Sequence, residues 1–224
     1  MAAFRRALEH GMASEIDVHL LADGTLVVFH DDDLERETGV KGSIESYDYE
    51  SLSKLRLEGT DECIPTFDEV LSLYEDSGLP LLIELKAVGR NHKALASTVA
   101  DRLKTYKGGF AVQSFYPRAI MEFRKHMPEV ALGQLSKNYF DRNDGFIKVR
   151  IAMLANMLYN RIVNPDFVAY KLRDKRNRGL SRAIDRKSLG KAAWTIRTPQ
   201  AYKDAVRAGC IPIFENIDPE DIYD

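Results

Sequence analysis

Cysteine is scarce in this chain: two residues of 224, Cys63 and Cys210. They stand far apart, without the paired spacing of a zinc ligand set. Neither a disulfide framework nor a zinc site is expected, and both read as buried thiols in a reducing compartment. Long apolar runs are missing too. Nothing reaches the roughly 18 consecutive apolar residues of a spanning helix, and the opening MAAFRRALEHG is a charged amphipathic helix, not the apolar core of a secretion signal. Charge of one sign is not in surplus: 32 Lys and Arg against 34 Asp and Glu leave a net charge of −2. No basic field exists to recruit nucleic acid. What remains is a globular chain, 45% hydrophobic and 29% charged, with a cytoplasmic location expected. Its length suits a single α/β barrel domain over residues 1–224.

The order of elements can be read from periodicity. Ala2 to His10 reads as a helix stopped by Gly11. A strand around Ile16 follows, then a turn at Ala22–Thr25 and a return strand at Leu26–Phe29, together a hairpin. Beyond a short helix at Tyr47–Leu55, helices and strands alternate. Thr66–Ser77 opens with a capping box, and LLIEL, Leu81–Leu85, is a strand buried on both faces. Further helices are expected at His92–Tyr106, Pro117–Met127, Gly145–Val163, Ser181–Leu189 and Pro199–Ala208. Further strands are expected at Phe110–Phe115, Val130–Leu135, Phe167–Tyr170, Ala192–Ile196 and Ile211–Phe214. Alternation of this kind implies parallel βα units. Seven parallel strands can be counted where a (β/α)8 barrel has eight, and a helix comes first where a barrel starts with a strand. The fold class expected is therefore an α/β TIM barrel with a small β-hairpin insertion, its first strand missing from this chain. An open doubly wound sheet is the alternative.

Chemistry concentrates in EIDVHLLADGTLVVFHDDDL, Glu15 to Leu34. Residues two apart on a strand share a face, so Glu15, Asp17 and His19 project together. Two carboxylates that close repel unless a cation or a proton sits between them. An E-x-D pair on a strand is commonly just a solvated face. Glu84 is a stronger signal, because an acid inside the apolar strand LLIEL is costly to bury unpaired. Three carboxylates converging at strand ends make a hard-oxygen site of the Mg2+ or Ca2+ type. Beside such a metal, His30 is a candidate general acid or base and Lys86 a point charge for a phosphate. The alternatives are a turn capped by Asp31 and a plain Lys86–Glu84 pair.

The order E-I-D-V, D-G, V-V-F-H-D, I-E-L-K, then V-Q-S-F and A-W-T-I resembles the glycerophosphodiester phosphodiesterase family over nearly the whole chain. The resemblance implies a (β/α)8 barrel with a hairpin after the second strand, and one divalent cation. It implies Glu15, Asp17 and Glu84 as metal ligands, His30 as the second of two catalytic histidines, and Lys86 as the phosphate contact. Gln113 and Trp194 fall where such enzymes line the pocket for the glycerol end, although a core amide and a barrel filler are equal readings. The family's opening His-Arg-Gly strand and P-E-N loop have no counterpart after Met1. His10 matches no catalytic position, and His19 reads as a rim residue. The activity expected is hydrolysis of glycerophosphodiesters to glycerol 3-phosphate and an alcohol, impaired if the first histidine is truly absent.

One further stretch stands apart. GFIKVRIAMLANMLYNRIVNP, residues 145–165, is nearly all apolar at its centre and flanked by Lys148, Arg150 and Arg161. It reads as a buried barrel helix or as an interfacial helix making weak membrane contact. The second reading favours a lysophospholipase D at a membrane surface. A reading outside enzymes is a barrel that binds metal and phosphodiester without turnover. The basic run Lys171–Arg178 reads as a solvated loop.

Overall fold

The computed structural model describes residues 1–136, 160–171 and 189–223. They form two compact units, Met1–Val130 and Ala131–Asp224.

In the first unit, helix Ala2–Glu9 leads into strand β1, Ser14–Leu20, and the hairpin return β2, Leu26–Val28. Strands β3, Leu81–Leu85, and β4, Phe110–Ser114, follow, each trailed by a helix: His92–Leu103 and Pro117–His126. The sheet order is β2-β1-β3-β4, antiparallel only at the hairpin. Period-2 alternation divides its faces. Ile16, Val18, Ile83, Leu85 and Val112 are fully or almost fully buried and share the face opposite Glu15, Asp17 and Glu84. At the hairpin turn, Gly24 takes a positive φ of 88°, the left-handed region glycine tolerates. Asp23 beside it accepts from Thr25 N at 2.9 Å and from Tyr49 N at 2.8 Å. The turn is thereby tied to the segment that follows β2.

That segment builds a small core of its own. Leu21, Val27, Phe29, Leu34, Ile44, Leu52 and Ile64 pack together, with Tyr47, Tyr49, Leu55 and Leu57 around them. It contains a helix at Glu35–Thr38, a 3-10 turn at Ile44–Ser46, and helix Tyr49–Leu52, capped by the Asp48 side chain. The helix expected over Tyr47–Leu55 is thus shorter than the sequence pattern, because Asp48 begins it and the chain turns at Ser53. The capping box is present: Thr66 accepts from Glu69 N at 3.2 Å while the Glu69 carboxylate accepts from Thr66 N at 2.7 Å, opening helix Phe67–Tyr74.

The second unit holds strands β5, Leu132–Ser136; β6, Phe167–Lys171; β7, Gly190–Ile196; and β8, Ile211–Phe214, all parallel in that order. Helices Asn160–Val163, Pro199–Arg207 and Glu220–Tyr223 accompany them. Gly133 has no room for a side chain, since an added Cβ would enter the Phe167 ring. Among the described residues the parallel strands number seven, as read from the sequence. Residues 145–159 of the apolar stretch, 172–178 of the basic run and 181–188 of an expected helix lie outside the described residues. The two cysteines are free, but each is half-buried, not buried as expected. No described helix is long and apolar enough to cross a membrane.

Candidate active site and metal centre

Sheet register assembles the acids. Asp17 on β1 pairs with Glu84 on β3, and Glu84 pairs with Gln113 on β4, so the three stand side by side in one row across the sheet. Glu15 lies two residues earlier on the same face. Ligand atoms of Glu15, Asp17 and Glu84 all fall within 4.8 Å of one another. Asp17 is 8% exposed and Glu84 5%. The sequence reading has the two acids of β1 at its end. The strand instead runs on to Leu20, because Val18 to Leu20 pair with the hairpin return.

Lys86 sits among these acids. Its Nζ lies 3.0 Å from Asp17 Oδ1 and 2.9 Å from Glu84 Oε1. Glu15 accepts instead from the Gln113 amide, at 2.9 Å. Two carboxyl groups thus share one ammonium, with the third beside them. Burial, with Asp17 and Glu84 alongside, pushes the Glu15 carboxyl well above the ordinary range. Burial also pushes Glu84 up to about 8, despite Lys86. Burial alone would lower the Lys86 ammonium, but Glu84 and Asp17 outweigh it and hold it above its usual value. A proton is retained where the donor set would suit a cation. The cluster is all oxygen and carries an excess of acid over base, the chemistry that a hard divalent ion requires. These residues fit such an ion.

His30 follows β2. One residue before it, Phe29 N donates to Asp17 O at 2.9 Å, which places His30 next to the acidic row. Its ring is exposed and oriented from one side: Nδ1 lies 2.6 Å from Asp31 Oδ1. Arg36 Nε donates to the other oxygen, Oδ2, at 2.6 Å. That hydrogen bond is the main reason the Asp31 carboxyl is held down at about 2. Asp31 is therefore an ionised acceptor, and in the neutral ring Nδ1 carries the proton and Nε2 the lone pair.

The other sequence candidates fall in different settings. Gln113 is 1% exposed and its amide is committed to Glu15, an arrangement closer to a core amide than to an open pocket wall. Trp194 is half-buried on β7 of the second unit, with Lys171 Nζ 5.8 Å from its ring centroid. His19 is not a rim residue: its side chain is fully buried. Burial holds its imidazole down at about 4, with the Lys86 charge adding to the effect. His10 caps the first helix. Sequence reasoning missed Arg36, Glu45 and Asn91. All three lie on the irregular segment after β2 or the loop after β3, where no periodicity points to a face.

The chain matches the model of the glycerophosphoryl diester phosphodiesterase family over residues 1–217. A glycerophosphodiester phosphodiesterase of Bacillus altitudinis is 31% identical over 158 residues, covering 66% of this chain and 64% of that protein. One from Caldanaerobacter subterraneus is 30% identical, covering 60% and 59%. The match thus spans less than two thirds of these relatives. Among solved structures, an Oleispira antarctica phosphodiesterase in complex with the product sn-glycerol-3-phosphate superposes with a TM-score of 0.81. It has 22% identity, over 99% of this chain and 88% of that one. At that identity the likeness carries the fold alone, the TIM barrel read from the sequence.

Proposed function

The chain belongs to the glycerophosphoryl diester phosphodiesterase family, and from that premise we propose that it hydrolyses glycerophosphodiesters to glycerol 3-phosphate and an alcohol. One divalent cation, Mg2+ or Ca2+, assists. The observation that carries the reading is the convergence of Glu15, Asp17 and Glu84, the last two paired to a single lysine, one backbone bond away from the strand that presents His30. The family match covers residues 1–217 and so reaches into both compact units, which supports reading residues 1–224 as one domain.

Glu15, Asp17 and Glu84 would hold the cation. When bound, it supplies Lewis-acid neutralisation of the phosphoryl oxygens. Lys86 contributes a second positive charge to the same oxygens, from a position the strand fixes. His30, its Nδ1–H held by Asp31, uses Nε2 to move the proton that the attacking or leaving oxygen must lose or gain. Gln113 orients Glu15.

The test is release of glycerol 3-phosphate from glycerophosphocholine with added Mg2+ or Ca2+. Release that stops with a chelator is expected. A chain that binds the cation but releases no product from any glycerophosphodiester would overturn the reading in favour of a binding barrel. A second reading is a lysophospholipase D. It is supported by a rat protein of that name, 33% identical over 120 residues, or 48% of this chain and 37% of that one. Faster turnover of lysophosphatidylcholine in vesicles than of glycerophosphocholine, with flotation of the chain on those vesicles, would favour it.

A further inference from the structure

Glu45 is a largely buried acid for which the proposed reaction has no use. It stands in the 3-10 turn Ile44–Ser46 of the segment after β2, yet its carboxylate reaches two elements of the candidate metal centre. Oε1 accepts from Asn91 Nδ2 at 2.9 Å. Asn91 in turn accepts from Val88 N through Oδ1 at 2.9 Å, and its own N donates to Val88 O at 3.2 Å. This fastens the loop that leaves Lys86. The same Oε1 lies 3.4 Å from His19 Nδ1, a longer and weaker contact. His19 is two residues beyond Asp17, and its Nε2 has no hydrogen-bond partner among the described residues. The Glu45 contact is therefore the polar one that orients this ring.

We propose that Glu45 is a positioning residue for the cation site, clamping the loop after Lys86 and the β1 residue beyond Asp17 to the segment that carries His30. The ligands stand on β1 and β3, and the ladder sets their backbones only as far as Val18 and Leu85. Past that rung β1 and β3 diverge, β1 to the hairpin and β3 to the loop of Val88 and Asn91. A single carboxylate joins His19, on β1 just past that rung, to Asn91 in the loop after β3. Groups hydrogen-bonded directly to ligands typically account for 10- to 100-fold in metal affinity; Glu45 acts on the neighbours of the ligands, and an effect at the low end of that range is expected.

This inference rests on the cation reading above, and its test keeps the two apart. Ca2+ affinity is measured by calorimetry, and His19 and Asn91 side-chain NMR signals are followed, in wild type, Glu45→Ala, Glu45→Gln and Leu52→Ala. Leu52 belongs to the small core of the same segment, so Leu52→Ala reports destabilisation of the segment without loss of the clamp. Glu45→Ala is expected to weaken Ca2+ binding about tenfold and to move the His19 and Asn91 signals. Glu45→Gln retains an acceptor oxygen and should recover most of the affinity. Leu52→Ala should lower the melting temperature and leave the affinity unchanged. An affinity unchanged in Glu45→Ala, equally reduced in Leu52→Ala, or absent in wild type would overturn the proposal. A wild type that binds Ca2+ with no product release would overturn hydrolysis and leave the clamp standing.

Discussion

The candidate site has two parts built in opposite ways. Glu15, Asp17, Glu84 and Lys86 stand on or at the end of strands and are mostly buried; the Lys86 side chain is 15% exposed. His30 and Asp31 stand on the loop after β2 and Arg36 on the short helix that follows it, with the His30 side chain 71% exposed. In the first part, register fixes position and low solvation makes every unbalanced charge costly. In the second, side-chain pairs set orientation close to water, where such pairs contribute little to stability. The difference teaches where function and stability are coupled: changes to the strand-borne acids should move both, and changes to the loop should remove activity from an intact fold.

The largest effect is expected at the acids. Glu84→Gln should abolish the rise in melting temperature that a divalent cation confers and reduce turnover by at least about 10⁴-fold. It should leave the metal-free melting temperature near that of wild type, since the carboxyl it removes is already disfavoured as an anion. Thermal melts with and without Mg2+, with product release, check this. Lys86→Met tests the coupling from the other side. It leaves the buried Asp17 carboxylate without its ammonium, and unpairing a buried charge costs about 3–5 kcal/mol. In the metal-free chain a fall in melting temperature of about 10 °C follows. Added cation should recover much of it. If Lys86→Met melts like wild type, the Asp17–Lys86 pair does not hold a buried charge.

On the loop the contrast should appear as activity lost without stability lost. His30→Asn is expected to slow product release by about 10²- to 10⁴-fold, with the melting temperature and the cation-induced shift both retained. A cation shift lost in this variant would break the division drawn above. Asp31→Asn loosens the imidazole but leaves it in place. About a fivefold loss in turnover is expected, the size of one exposed charge pair.

How far each part can be read from the sequence follows from the same physics. The strand-borne acids are legible because period 2 puts Glu15 and Asp17 on one face, and because an acid within LLIEL has no apolar reason to be there. Their rows depend on register, which two strands some 60 residues apart in sequence do not announce. The pairing of Asp17 with Glu84 and of Glu84 with Gln113 emerges only in the folded sheet. His30 is legible as a His-Asp pair at a strand end, but Arg36 as the second arm on Asp31 is not, since the turn between them obeys no repeat. His19 shows the limit of reading a face by periodicity. It shares the side of Asp17, which suggests the rim, yet the segment carrying Ile44 and Glu45 folds over it and buries it. Long-range cover of that kind comes from a second small core, and local pattern does not encode where that core will dock.

The smallest effect belongs to Glu45, which joins the two parts, and it turns on pH. Burial pushes its carboxyl from 4.5 up to about 7, with the charge of Asp32 adding to the shift; His19 from β1 and Asn91 from the loop after β3 are its other polar neighbours. The folded state therefore holds this proton more tightly than the unfolded state does. By linkage, the stability so gained is fully present below about pH 4.5 and is lost as pH rises through about 7. Glu45→Gln removes the titration while keeping a carbonyl acceptor. The difference in melting temperature, wild type minus variant, should then be most favourable to wild type at pH 5 and move against it by pH 8. Partial solvent contact screens the shift, so about 1 kcal/mol is expected, or roughly 2–4 °C for a chain of this size. A difference that stays flat from pH 5 to pH 8 would mean that the segment over His19 stands open enough to hydrate Glu45. The clamp would then be too loose to join the loop-borne histidine to the strand-borne acids.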